Sequence, residues 1–148
     1  VAIRIPFTTQ LRAAAIDLVR DYADDSSLTI QTYRARPASI LAPCAFVDRI
    51  RESIVYPSSV TFRQRTVTAD VLVLWGLFDS GDAADQRDRF IDGFLDWVTD
   101  HVHAAGDRTT VGVVAIADEP TYVPDWLPPA AQRTYYATRI ALEGFAGG

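Results

Sequence analysis

The stretch TFRQRTVTADVLVLWGLF, residues Thr61–Phe78, decides the fold. Its first half alternates, with Phe62 and Gln64 set against Arg63 and Arg65, as a strand with one wet face does. Its second half, Val71-Leu72-Val73-Leu74-Trp75, is apolar on both faces, the pattern of a strand buried on both sides. Such a strand needs a cover on each face of its sheet.

Two helices flank it in sequence. The first spans about Thr9 to Ala23, with Thr8 or Thr9 as N-cap. Leu11, Ala14, Ala15, Leu18, Val19 and Tyr22 recur at helical spacing, and Asp24-Asp25-Ser26-Ser27 ends it. The second spans about Ala83 to Ala104. Phe90, Ile91, Phe94, Leu95, Val98 and Val102 form its apolar face, with Trp97 at the edge and Asp88, Asp92, Asp96 and Asp100 on the other side. Asp79–Asp82 supplies its cap, and Asp82 and Asp85 suit the positive end of its dipole. Further strands read at Thr29–Arg34, Cys44–Val47, Val111–Ala117 and Thr134–Leu142. Residues 48–57 either extend the second of these or form an arm. The predicted fold is α+β: a mostly antiparallel sheet of four or five strands, two helices on one face, an extended arm or hairpin, and a Pro-rich loop at Asp118–Arg133. Tyr122, Trp126 and Leu127 of that loop, or another subunit, cover the second face.

A chain of 148 residues with 49% apolar residues has enough core for one domain, residues 1–148, without disulfide or metal staples. Cys44 is its one cysteine, which excludes an intrachain disulfide. No apolar run approaches the roughly 18 residues of a membrane span, and no leader pattern opens the chain. These features predict a soluble protein of a reducing cytoplasm, with no membrane partner. Every basic residue is Arg and nearly every acid is Asp; this reflects a GC-rich genome, so no chemistry is built on it. The formal net charge of −5 disfavours general nucleic-acid binding.

Catalytic signatures are scarce. There is no glycine-rich phosphate loop, nucleophile elbow or H-E-x-x-H pair. His101 and His103, two apart on a helix, point about 200° apart and cannot share a metal. Cys44 reads as a buried thiol rather than a nucleophile. The spacing predicts no catalytic residue, metal or cofactor. More is offered by the arginines. Arg34/Arg36, Arg49/Arg51 and Arg63/Arg65 are each spaced by two, so on a strand each pair shares a face. They are either edge-blocking charges or a basic surface that meets an acidic one, such as the Asp stripe on a neighbouring copy. The candidate interface residues are Arg49, Arg51, Ile54, Val55, Tyr56, Arg63, Arg65, Asp88, Asp92, Asp96, Tyr122 and Trp126. The Asp stripe itself is solvated, interfacial or luminal.

The order of elements resembles the tail terminator, or tail completion, proteins of long-tailed bacteriophages, of the lambda type and its actinophage relatives. The likeness lies in a helix leading into Leu28–Tyr33, a Pro-preceded strand at Ala42–Val47, an arm ending in Thr66–Gly76, an Asp-rich helix start at Asp79–Asp88, and a closing hairpin of Val111–Ala117 and Thr134–Glu143. The Pro-rich loop is longer than the family pattern. The resemblance implies a homohexameric ring capping the head-proximal end of the tail tube. Its partners would be the major tail tube protein and a head-completion or neck protein, and the genome would pass through the lumen without specific binding. It also implies a virion location at the tail and neck, after assembly in the host cytoplasm. A head–tail joining protein is the nearest alternative, and a small enzyme or ligand-binding domain the distant one.

Overall fold

The computed structural model describes residues 6–55, 64–105 and 109–147. The elements run α1 (Phe7–Asp25), β1 (Gln31–Tyr33), β2 (Cys44–Val55), β3 (Gln64–Leu77), α2 (Gly81–Ile91), α3 (Phe94–Asp100), β4 (Ala104–Ala105), β5 (Thr109–Thr110), β6 (Gly112–Tyr122) and β7 (Tyr135–Gly147), with a 3-10 turn at Pro129–Ala131 before β7. Five strands form one sheet in the order β1-β2-β3-β7-β6; β4 and β5 pair separately. Only the short β1–β2 ladder is parallel, and the β2–β3, β3–β7 and β6–β7 ladders are antiparallel. This is the expected α+β class, with the helices on one face.

β3 is the middle strand, and the two-sided apolar pattern has its cause in that position. Val67, Ala69, Val71, Val73 and Trp75 face the helices, where they meet Leu11, Leu18, Val19, Phe90 and Phe94. Leu72 and Leu74 face the other way, onto Cys44, Phe46, Tyr135 and Ala137. The Pro-rich loop covers that second cluster: Tyr122 and Trp126 pack against it, and the Trp126 ring meets Phe46 edge-on at 5.3 Å. The loop is shorter than the sequence suggests. β6 continues to Tyr122 through Pro120, which an outer strand tolerates because its outward side makes no ladder bonds. β7 likewise runs to Gly147.

α1 starts at Phe7, with Pro6 rather than Thr8 or Thr9 in the N-cap position. Pro6 has no N–H to lose and a φ of −58° suited to a helix start. The earlier start also brings Phe7 into the core. At the other end Leu28 N–H donates to the Ala23 carbonyl and Ser27 N–H to that of Asp24. Ser27 takes a left-handed φ of 58°. This is the Schellman arrangement, with serine where glycine is usual.

The second helix is not continuous as predicted. It breaks at Gly93, whose φ is +83°, into α2 and α3, and it stops at Asp100 instead of Ala104. A left-handed residue cannot continue a right-handed helix, and glycine adopts it without a Cβ clash. The Tyr22 hydroxyl donates to the Asp92 carbonyl at the break (3.1 Å), while the Tyr22 ring packs edge-on against Phe90 and Phe94. Leu95 and Val102, expected in the apolar face, are 53% and 71% exposed after the break redirects α3. A Cβ at Gly93 meets nothing within 4 Å, so Gly93→Ala should cost only backbone strain, about 1–2 kcal/mol. A melting temperature lower by about 2–4 °C per kcal/mol checks this. Gly81→Ala, at a negative φ in open space, should leave it unchanged or raised.

Candidate functional site

The second face of the sheet carries a cluster of charges beside the loop-covered apolar patch. Its anchor is Asp70, fully buried within the apolar run of β3. A buried carboxylate must be paired, and the pairing comes from β2. Opposite Asp70 the ladder jumps from Val47↔Val71 to Arg49↔Asp70, so β2 has one extra residue at Asp48. This β-bulge resets the alternation. Arg49 and Arg51 therefore share the face of Asp70. Arg49 Nε donates to Asp70 Oδ2 at 2.6 Å and Arg51 Nη2 to Oδ1 at 2.9 Å.

The bulged Asp48 is nearly as buried, with 5% of its side chain exposed. It accepts from Arg36 Nε and from Arg139 Nη1, both at 2.8 Å. Arg139 also donates through Nε to Glu119 at 2.8 Å and lies 3.8 Å from Asp70. Burial alone would lower the Arg139 pKa, but the hydrogen bonds it donates to Glu119 and Asp48 outweigh it and hold the guanidinium above its ordinary value. Arg36 closes the cluster toward the loop, with its guanidinium 5.0 Å over the Trp126 ring. The Trp126 indole N–H donates to the Pro37 carbonyl at 2.8 Å. Tyr122 is pushed up to about 12 by burial first and by Asp48 second.

The structure brings some candidate residues together and separates others. Arg49 and Arg51 form one pair, as their spacing predicts, but their first partner is Asp70 of the same chain. Tyr122 and Trp126 serve the chain's own second cover. Arg65 lies on the opposite, helix-side face and pairs with Glu52, away from Arg49 and Arg51. Ile54 is half exposed, and Val55 ends β2. Tyr56 and Arg63 lie outside the described residues. Asp88, Asp92 and Asp96 rim one shallow hollow of about 370 Å³ at the α2–α3 break, together with Arg87. Arg87 bridges Asp88 at 3.2 Å and Asp118 at 3.0 Å. The sequence reading missed Asp48, Asp70, Glu119 and Arg139. A lone carboxylate inside an apolar run was the available signal, because it demands a cation on a neighbouring strand.

The thiol and the two histidines lie on opposite faces of the sheet. Cys44 is buried on the second face, and burial raises its thiol to about 11. His101 and His103 are on the helix side. His103 Nε2 lies 2.9 Å from Asp21 Oδ2, and His101 stacks on Trp97 at 4.2 Å. They line an open groove of about 550 Å³ with Asp21, Asp24, Asp25, Trp97 and Val102. Among the described residues no group of three His, Cys, Asp or Glu side chains is placed to hold a metal. No described helix is long and apolar enough to cross a membrane. No protein-family model matches the chain, and no curated protein matches it.

Two expected outcomes follow from this arrangement. Removing both partners of Asp70, in Arg49→Gln with Arg51→Gln, should destabilise the fold by about 3 kcal/mol or more, because a buried charge is left with one distant cation. Asp70→Asn should cost less, about 1.5–3 kcal/mol, since the freed guanidiniums are already half in water. Urea unfolding of the three proteins measures the order. Cys44, neutral when folded, should resist iodoacetamide at pH 7–8 and react once urea unfolds the chain. Mass spectrometry before and after denaturation reads this out.

Proposed function

We propose that this chain is a structural virion protein of the tail terminator type. It forms a ring, most simply of six copies, on the head-proximal end of a phage tail tube. The ring stops tube polymerisation and presents the surface that joins the neck, and the genome passes through it without being gripped. It works through repeated contacts around an axis rather than by making bonds. The observation that carries the reading is the long β2–β3 hairpin within the predicted order of elements. Arg51, Glu52, Ser53 and Ile54 of β2 at its far end are exposed, while the ladder beyond the Asp48 bulge pairs every residue from Arg49↔Asp70 to Val55↔Gln64. An exposed end of β2, ladder-paired to β3 and with no convergent catalytic set beside it among the described residues, suits contact with neighbouring subunits.

The test is negative-stain microscopy of the purified protein with tail tubes. Binding confined to one end of each tube supports the reading. Binding to isolated connectors but not to tube ends assigns the chain to the neck instead. Binding to neither removes both assignments. Deletion of residues 54–59 should leave the circular dichroism spectrum unchanged and abolish tail joining. Fully joined tails from the deletion variant would mean that this segment makes no essential contact.

A further inference from the structure

Asp70 does more than hold a sheet together. It fixes two arginines that, among the described residues, use only part of their hydrogen-bonding capacity on side chains. A guanidinium has five N–H donors. Among the described residues Arg49 donates to a side chain through Nε alone, and Arg51 through Nη2 alone. Their side chains are 56% and 53% exposed although their shared acceptor is fully buried. Restraint from below lowers the conformational cost of binding a carboxylate from above, and a planar guanidinium suits that partner. The two acids nearest Arg49 and Arg51 lie deep, Asp70 and Asp48 being almost without side-chain exposure. Glu119 is committed to Arg139, and Glu143 stands across β3 opposite Thr68. The outermost charges around Arg49 and Arg51 are therefore guanidiniums.

The other side of the molecule has the opposite character. Asp82, Asp85, Asp88, Asp92, Asp96 and Asp100 are all exposed on α2, α3 and the turn between them. The cations of that segment are Arg87, turned onto Asp118 and Asp88, and Arg89. The helices cover one face of the sheet, and Arg49 and Arg51 stand on the other. Complementary patches on opposite sides of one molecule cannot satisfy each other in a closed two-fold pair. They join copies head to tail, which closes into a ring when the rotation allows.

We propose that the Arg49–Arg51 face of one copy docks on the acidic α2–α3 surface around Asp88, Asp92 and Asp96 of the next. The inference rests on the ring-forming reading for its choice of partner, a second copy of this chain. The contact is electrostatic, so it weakens as salt rises. It also sets the register between copies more than it supplies affinity.

The test uses full-length protein and analytical ultracentrifugation at low and high salt. The unmodified chain should associate beyond a dimer at low salt and dissociate at high salt. Asp92→Arg with Asp96→Arg should be monomeric, and so should Arg49→Gln with Arg51→Gln. Should the second variant fail to fold, Arg51→Gln alone leaves Asp70 its Arg49 partner and replaces it. An equimolar mixture of the acidic-face and arginine-face variants should give a one-to-one heterodimer and nothing larger, because each retains one working patch. A chain that stays monomeric in every condition, variants that associate like the unmodified protein, or a mixture that assembles further would each overturn the contact. An acidic-face variant that still caps tube ends would overturn it while leaving the proposed function intact. The heterodimer pattern in a protein that ignores tube ends would preserve the contact and remove that function.

Discussion

A strand with apolar side chains on both faces cannot be left half covered, and β3 imposes that constraint on everything around it. Its helix side takes α1, α2 and α3, with Trp75 closing the layer through an indole hydrogen bond to Thr138 at 2.9 Å. Among the described residues its other side receives no α-helix. The chain instead folds the end of β6 and the segment after it over Leu72, Leu74 and Phe46, using Tyr122 and Trp126 as flat covers, with Trp126 pinned to Pro37 and Arg36. Aromatic rings suit this role because they bury much area for little conformational freedom. The cover ends where Asp70 begins, and from there the second face is finished with charge.

That change of material has a structural consequence. Replacing buried ion pairs with hydrocarbon is often neutral or stabilising, so charge in a sheet interior argues for something besides stability. In this sheet the charges tie β2, β3, β6 and β7 to one another across their ladders: Arg49 and Arg51 to Asp70, Arg139 to Asp48 and Glu119. A slip of one residue would turn every side chain of a strand to the wrong face. The network penalises that slip, because Asp70 would then face the apolar helix layer without a cation. The bulge at Asp48 and the network are therefore one device: the bulge brings the arginines to the correct face, and the carboxylates hold them there.

The sequence discloses the central strand, the helices and the α+β class because these depend on local periodicity. Val71 to Trp75 and the stripe of α1 state their surroundings directly. The second helix was harder. Asp92-Gly93 interrupts a run whose apolar spacing continues on both sides, and periodicity alone cannot distinguish a bend from a continuation. The site was legible only in part. Spacing paired Arg49 with Arg51, yet nothing local in β2 reveals that Asp48 is an extra residue, since a bulge is defined by the partner strand. The Asp48–Arg139 contact joins residues far apart in sequence, on strands separated by β3, and follows only from the strand order.

The separation of charge across the sheet is a property of the topology as much as of composition. The helices α1, α2 and α3 pack on one face because the segments before β2 and after β3 lie on the same side, so the acidic turns of α2 and α3 accumulate there. The face they leave open is where a bulged strand can display arginines without crowding. A molecule with different chemistry on its two sides is polar in the geometric sense, and successive copies can stack or circle with a fixed direction. The role proposed above, ending one polymer and beginning a different junction, would call for that directionality, because its two neighbours would be unlike. The same asymmetry is what the proposed contact through arginines requires of a net acidic chain: net charge describes the whole molecule, whereas a contact reads only the outermost groups of the face it meets.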